Sequence, residues 1–109
     1  MGKIALTPEV LMLVAERFKA LAEPVRLQLL QCLRDKPKTV SELVQETGFG
    51  QANVSKHLQI LNGLGFLDRK KEGLYVTYSL ADRSVFQLCD LMCGHLEAEA
   101  KQRTRALAG

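Results

Sequence analysis

Tryptophan is absent from this 109-residue chain, and Phe and Tyr together supply only 6% of it, so any core must be aliphatic. Long apolar runs are missing too. The longest, residues 10–15, is bracketed by Glu9 and Glu16 and is far too short to cross a bilayer. No secretory leader is legible at the N-terminus, so the expected location is the cytoplasm. Cysteines number only three, and in such a compartment they are expected as free thiols, open to metal or redox chemistry rather than stapling the fold. There is no nucleophile–base motif, Gly-rich phosphate loop or acidic pair with an evident task, so enzymatic activity is not expected. Internal repeats and low-complexity segments are likewise missing. The formal net charge of +3 permits a nucleic-acid partner without demanding one.

What is present is the composition of one globular domain, 47% hydrophobic and 25% charged. A chain of this length should bury roughly 65% of its unfolded surface. Residues 49–67, FGQANVSKHLQILNGLGFL, organise it. Val54, Leu58, Leu61 and Leu64 fall at the three- and four-residue spacing of one helix face, with Ile60 beside them. The other face carries Gln51, Asn53, Lys56, His57 and Gln59, donors and acceptors almost without acid. Just upstream, residues 41–47 read as a short helix capped by Ser41, followed by the turn Gly48-Phe49-Gly50. A short helix, a Gly-containing turn and a longer helix with a polar leading edge predict a helix-turn-helix over about 41–64. Its second helix would enter the major groove of DNA. An ordinary helical hairpin, in a small protein-interaction module that never meets DNA, is the rival from another class.

Downstream, residues 66–80 alternate as a β-hairpin turning at Glu72-Gly73, with Arg69, Lys70 and Lys71 in a row on the rising strand. Placed directly after a helix-turn-helix, this basic hairpin reads as a wing against phosphates or the minor groove. Two apolar helices flank the motif. The first, about 8–21, starts at Thr7-Pro8-Glu9; the last, about 82–103, opens at Asp82 or Ser84, and residues 104–109 look frayed. Between the first helix and the motif, residues 24–35 form another, stopped by Lys36-Pro37, and Thr39-Val40 reads as a short extended piece. The stripe Val85, Leu88, Met92 and Leu96 on the last helix is more than so small a core can cover. With the first helix it predicts a dimer surface. The expected architecture is mainly α with a β-hairpin wing: a dimeric winged helix-turn-helix with five helices in one domain spanning 1–109.

Three segments in order, FKALAEPVRLQLLQCL, SELVQETGFGQANVSKHLQILNGLGFL and RKKEGLYVTYSL, give the chain its resemblance to the ArsR/SmtB family of bacterial winged-helix repressors. The resemblance implies a homodimer that binds an inverted-repeat operator in double-stranded DNA and releases it when an inducer binds. It places DNA contacts on Gln51, Asn53, Ser55, Lys56 and His57, and a wing contribution on Arg69, Lys70 and Lys71. His57 is read as a DNA contact or a support for the helix rather than a metal ligand.

The family's metal sites are incomplete here. Where one pattern has cysteines this chain has Thr39 and Ser41; the other pattern falls on Asp82, Ser84, His95 and Ala98, leaving two ligands of four. Zinc takes four ligands in a tetrahedron, so these two do not make a site. Cys89 and Cys93, four apart, share one helix side, and soft thiolates suit arsenite, antimonite or another thiophilic ion. Sensing is therefore expected at Cys89 and Cys93, with Cys32 either packing or, in a redox or persulfide-sensing alternative, pairing with one of them.

Overall fold

A computed structural model describes residues 4–108 of the chain. Five helices and three strands occur among the described residues: α1 Pro8–Leu21, α2 Pro24–Cys32, β1 Lys38–Thr39, α3 Val40–Thr47, α4 Gln51–Gly63, β2 Leu67–Glu72, β3 Tyr75–Leu80 and α5 Val85–Ala108.

Local chemistry sets most of the boundaries. The Thr7 hydroxyl accepts a hydrogen bond from the Val10 amide and Pro8 opens α1. The Glu23 carboxylate accepts from the Arg26 amide at the start of α2. At α3 the expected cap shifts: Thr39, not Ser41, takes that place. Its hydroxyl accepts from the Glu42 amide at 3.1 Å while the Glu42 carboxylate accepts from the Thr39 amide at 2.9 Å. The reciprocal pair satisfies two donors together, which a cap at Ser41 would not do. Val40 therefore belongs to the helix, and the extended piece is Lys38–Thr39.

The sheet runs β1-β3-β2, antiparallel throughout, with Lys38 opposite Tyr78 and Leu67 opposite Leu80. Because Glu72 pairs with Tyr75, the hairpin turns on Gly73-Leu74, one residue later than expected; Gly73 supplies the positive φ of 60° that the tight turn requires. The core gathers Leu29, Leu30 and Leu33 around α2 with Leu43, Val54, Leu58, Leu61, Leu67 and Tyr78, and Val85 and Phe86 close it.

Helix α5 begins three residues after Asp82, whose carboxylate instead accepts from the Ser84 amide at 2.9 Å. The residues expected to fray continue the helix to Ala108, with Gly109 outside the described residues. Its first turn is tied down: the Arg83 guanidinium donates to the Arg34 carbonyl, and the Arg34 guanidinium lies 4.6 Å from the centre of the Phe86 ring. The apolar stripe divides at this point. Val85 is 5% exposed and packs in the chain's own core, so it is not part of an open surface as expected. Leu88, Met92 and Leu96 are open, and Leu91 joins them. On α1 only Ala20 is buried, leaving Leu11, Leu13, Val14 and Phe18 exposed.

Candidate nucleic-acid interface

Core packing along one face and hydrogen bonds at its end fix α4 as a platform. Along its inner face Val54, Leu58 and Leu61 are fully buried, packed with Leu43 of α3 and Leu29 of α2. At its end the Gly65 amide donates to the Asn62 carbonyl and the Phe66 amide to the Leu61 carbonyl, with Gly65 left-handed at φ 85°. These paired bonds are a Schellman motif, which stops the helix and redirects the chain. The Asn62 side-chain amide then donates to the Leu67 carbonyl at 2.8 Å, binding helix to wing. The angle between α4 and the hairpin is thereby set by short-range bonds.

On the outer face Gln51, Asn53 and Lys56 are exposed and Ser55 is half-buried. Gln51 and Ser55, one turn apart, line a cleft of about 220 Å³ closed on its other side by Ser41 and the wing residues Leu74 and Tyr75. Gly50 caps α4 without a side-chain hydrogen bond, so the first-turn amides are left to an external acceptor. Arg69, Lys70 and Lys71 are all exposed on β2, and Lys70 lies 3.3 Å from Glu72. So open an ion pair holds little and is easily exchanged for another anion.

His57 departs from the expectation. It is 8% exposed, turned away from the groove face, and its Nδ1 accepts a hydrogen bond from Arg26 Nη1 at 3.1 Å. The reason is angular. His57 lies between Val54 and Leu58 in sequence but only three residues from Val54 and four from Leu61, which puts it on the flank of the buried stripe. The reading as a helix support fits this placement; the reading as a base contact does not. Conversely Leu74, 97% exposed at the wing apex, and Ser41 in the cleft carried no sequence signal as interface residues until the hairpin register was known.

The thiols lie elsewhere. Cys89 is half-buried and Cys93 exposed on successive turns of α5, and both are free. Cys32, also free and half-buried, ends α2. Burial pushes its thiol above the ordinary range and the nearby Glu46 carboxylate adds to this, against a smaller opposing effect of Lys38. Lys38 and Glu46 themselves form an ion pair at 2.6 Å. Among the described residues no group of three or more His, Cys, Asp or Glu side chains is arranged to hold a metal ion. Asp82 is engaged with the Ser84 amide, which holds its carboxyl below the usual range.

Comparison with known proteins decides the family. Residues 23–69 match the model described as bacterial regulatory protein, arsR family. The HTH-type transcriptional regulator NmtR of Mycobacterium tuberculosis is 39% identical over 84 residues, 77% of this chain and 70% of that protein. The chain belongs to the arsR family. It is thus a winged helix-turn-helix transcriptional regulator and not an enzyme. A second relative, a probable mercury resistance operon repressor of Streptomyces lividans, is 38% identical over 74 residues; the match spans 68% of this chain and 59% of that protein. Among solved structures, the homodimeric winged helix-turn-helix DNA-binding domain Mb0332 from Mycobacterium bovis, a possible ArsR-family transcriptional regulator, superposes with a TM-score of 0.74 at 29% identity, covering 89% of this chain and 90% of that one.

Proposed function

We propose that this arsR-family regulator is a homodimeric repressor that grips an inverted-repeat operator and releases it when a thiophilic ion reaches Cys89 and Cys93. The observation that carries the DNA half is the contrast on α4: one face locked in the core, the other offering Gln51, Asn53 and Lys56 to solvent beside the basic strand β2. Gln51 and Asn53 each have a side-chain amide, the donor–acceptor pair that reads adenine in the major groove. Lys56, Arg69, Lys70 and Lys71 supply phosphate contacts, with Ser55 at the edge of the cleft. No helix among the described residues is long and apolar enough to cross a membrane. The M. bovis structure is described as homodimeric, and the open apolar faces of α1 and α5 supply the matching surface here.

Three facts support the sensing half. Cys89 and Cys93 are a turn apart on a helix that is open beyond Phe86, so both thiols can face one ion. Thiolates select soft ions, and the S. lividans relative is described by its link to mercury resistance. Two thiolates suffice for a linear soft ion, whereas trigonal arsenite or antimonite takes its third donor from an added thiol or the partner subunit. Cys32, with its proton held on by burial, is the poorer nucleophile and ligand.

Operator release in a gel shift tests this with mercury(II), arsenite and polysulfide as probes. Cys89→Ser with Cys93→Ser should abolish release by the ions, and Cys32→Ser should leave it intact. Dependence on Cys32 together with one α5 cysteine, accompanied by a disulfide or sulfur-chain mass shift, would instead assign redox or persulfide sensing. A chain that never shifts an arsR-type palindrome while forming complexes with other proteins would be an interaction module.

A further inference from the structure

His57 is the one buried polar side chain among the described residues, and its partner reaches in two directions. While Arg26 Nη1 donates to His57 Nδ1 at 3.1 Å, its Nε donates to the Ala20 carbonyl at 2.6 Å. Ala20 lies in the last turn of α1, where carbonyls lack helical partners. Arg26 lies in the first turn of α2, its amide held by Glu23, and His57 stands in the middle of α4. One guanidinium therefore joins three helices. A guanidinium is always charged and only donates, so Nδ1 must be the acceptor and the ring proton must sit on Nε2.

The placement matters because α1 is weakly held by the rest of its own chain. Ala20 is its only buried residue, and its outward face is the apolar one. A shift of α1 therefore has a short route to α4: through the Ala20 carbonyl and Arg26 to His57, next to Lys56 and one turn past Asn53. A lysine has its donors on one nitrogen and lacks the planar fork, so it would not reproduce two bonds made here from separate nitrogens.

We propose that Arg26 and His57 are positioning residues that tie the end of α1 to the recognition helix, so that the pose of the dimer-side helix sets operator affinity without either side chain touching DNA. The inference rests on the DNA-binding reading above and adds to it the path between assembly and recognition.

Operator affinity, affinity for random-sequence DNA and thermal stability are measured for Arg26→Lys, His57→Leu, their double variant and His57→Asn, with Lys70→Ala as the control. Each of the first two should weaken the operator complex roughly three- to thirtyfold while random-sequence affinity and melting stay near wild type. The double variant should be no worse than the weaker single, as for two members of one link. His57→Asn places an oxygen acceptor where Nδ1 stood and should restore most of the affinity. Nitrogen NMR of the wild-type imidazole should show the proton on Nε2, a reading that stands even where a variant fails to fold. A proton on Nδ1, additive losses, unchanged operator affinity or an Asn variant as poor as Leu would each overturn the link. If Lys70→Ala weakens binding and these variants do not, the link alone fails; if none of them matters, the DNA reading fails and the link with it.

Discussion

Lys70 and Asn53 share an exposed surface but differ in the chemistry they can offer. Lys70 brings a point charge whose only close acidic partner among the described residues is the open Glu72. We predict that Lys70→Ala weakens every DNA sequence alike and lowers the slope of log affinity against log salt by about one unit. Asn53 brings a planar donor–acceptor pair. Asn53→Ala should cost roughly 1–3 kcal/mol on the operator and relax preference at one base pair. Fluorescence titrations at several salt concentrations separate the two, and identical behaviour of both variants would refute the assignment of α4 to base reading.

The capping box of α3 and the Schellman end of α4 hold the motif in shape. Thr39→Ala removes a hydroxyl acceptor and should cost about 1 kcal/mol of folding stability. Glu42 belongs to the same box, and the hydrogen bond from the Thr39 amide, with the Thr39 side chain adding to it, holds its carboxyl below the ordinary range. A depressed folded value means the unfolded chain binds the proton more readily. The contribution is therefore complete above the ordinary carboxylate range and is lost as pH falls through the lowered value. Glu42→Gln should flatten that acidic limb of the stability–pH curve in denaturant titrations, and an unchanged limb would refute the role. At Gly65, where φ is 85° and a Cβ would meet nothing within 4 Å, the penalty for a side chain is one of backbone conformation alone. Gly65→Ala should cost about 1–2 kcal/mol and loosen the wing.

A compact chain of this length has a radius of gyration of about 13 Å, whereas this one has 17.2 Å and extends 61 Å along its long axis. The excess comes from α5, 24 residues long and buried only at Val85 and Phe86. Leu88, Leu91, Met92 and Leu96 of α5, and Leu13 and Phe18 of α1, leave uncovered apolar surface on both helices. A two-fold partner on that surface would set two recognition helices about 34–36 Å apart, the spacing of successive turns of DNA. Leu88→Glu would bury an unpaired carboxylate there and should shift the protein to monomer in sedimentation, at a cost of several kcal/mol. Val85→Glu is the contrasting case: it strikes the chain's own core and should unfold the protein rather than dissociate it. A Leu88→Glu chain that stays dimeric would place the interface elsewhere.

Spacing of apolar residues sufficed to determine the helix order, the inward face of α4 and the hairpin, because periods of 3.6 and 2 follow from backbone geometry before any packing occurs. The same holds for the exposed Gln51, Asn53 and Lys56, which lie opposite a buried stripe, whereas the basic run on β2 is open on both faces of a strand buried only at Leu67. Periodicity could not decide residues at the margin of a stripe, where the neighbouring element chooses. His57 turned inward because Arg26 of α2 stood there with a donor, and Val85 joined the core because α5 begins against it. The cap at Thr39 rather than Ser41 was a local matter, since only Thr39 has a Glu three residues on to complete a capping box. At His57 and Val85 the local pattern allowed either side of the stripe, and contacts between residues distant along the chain decided.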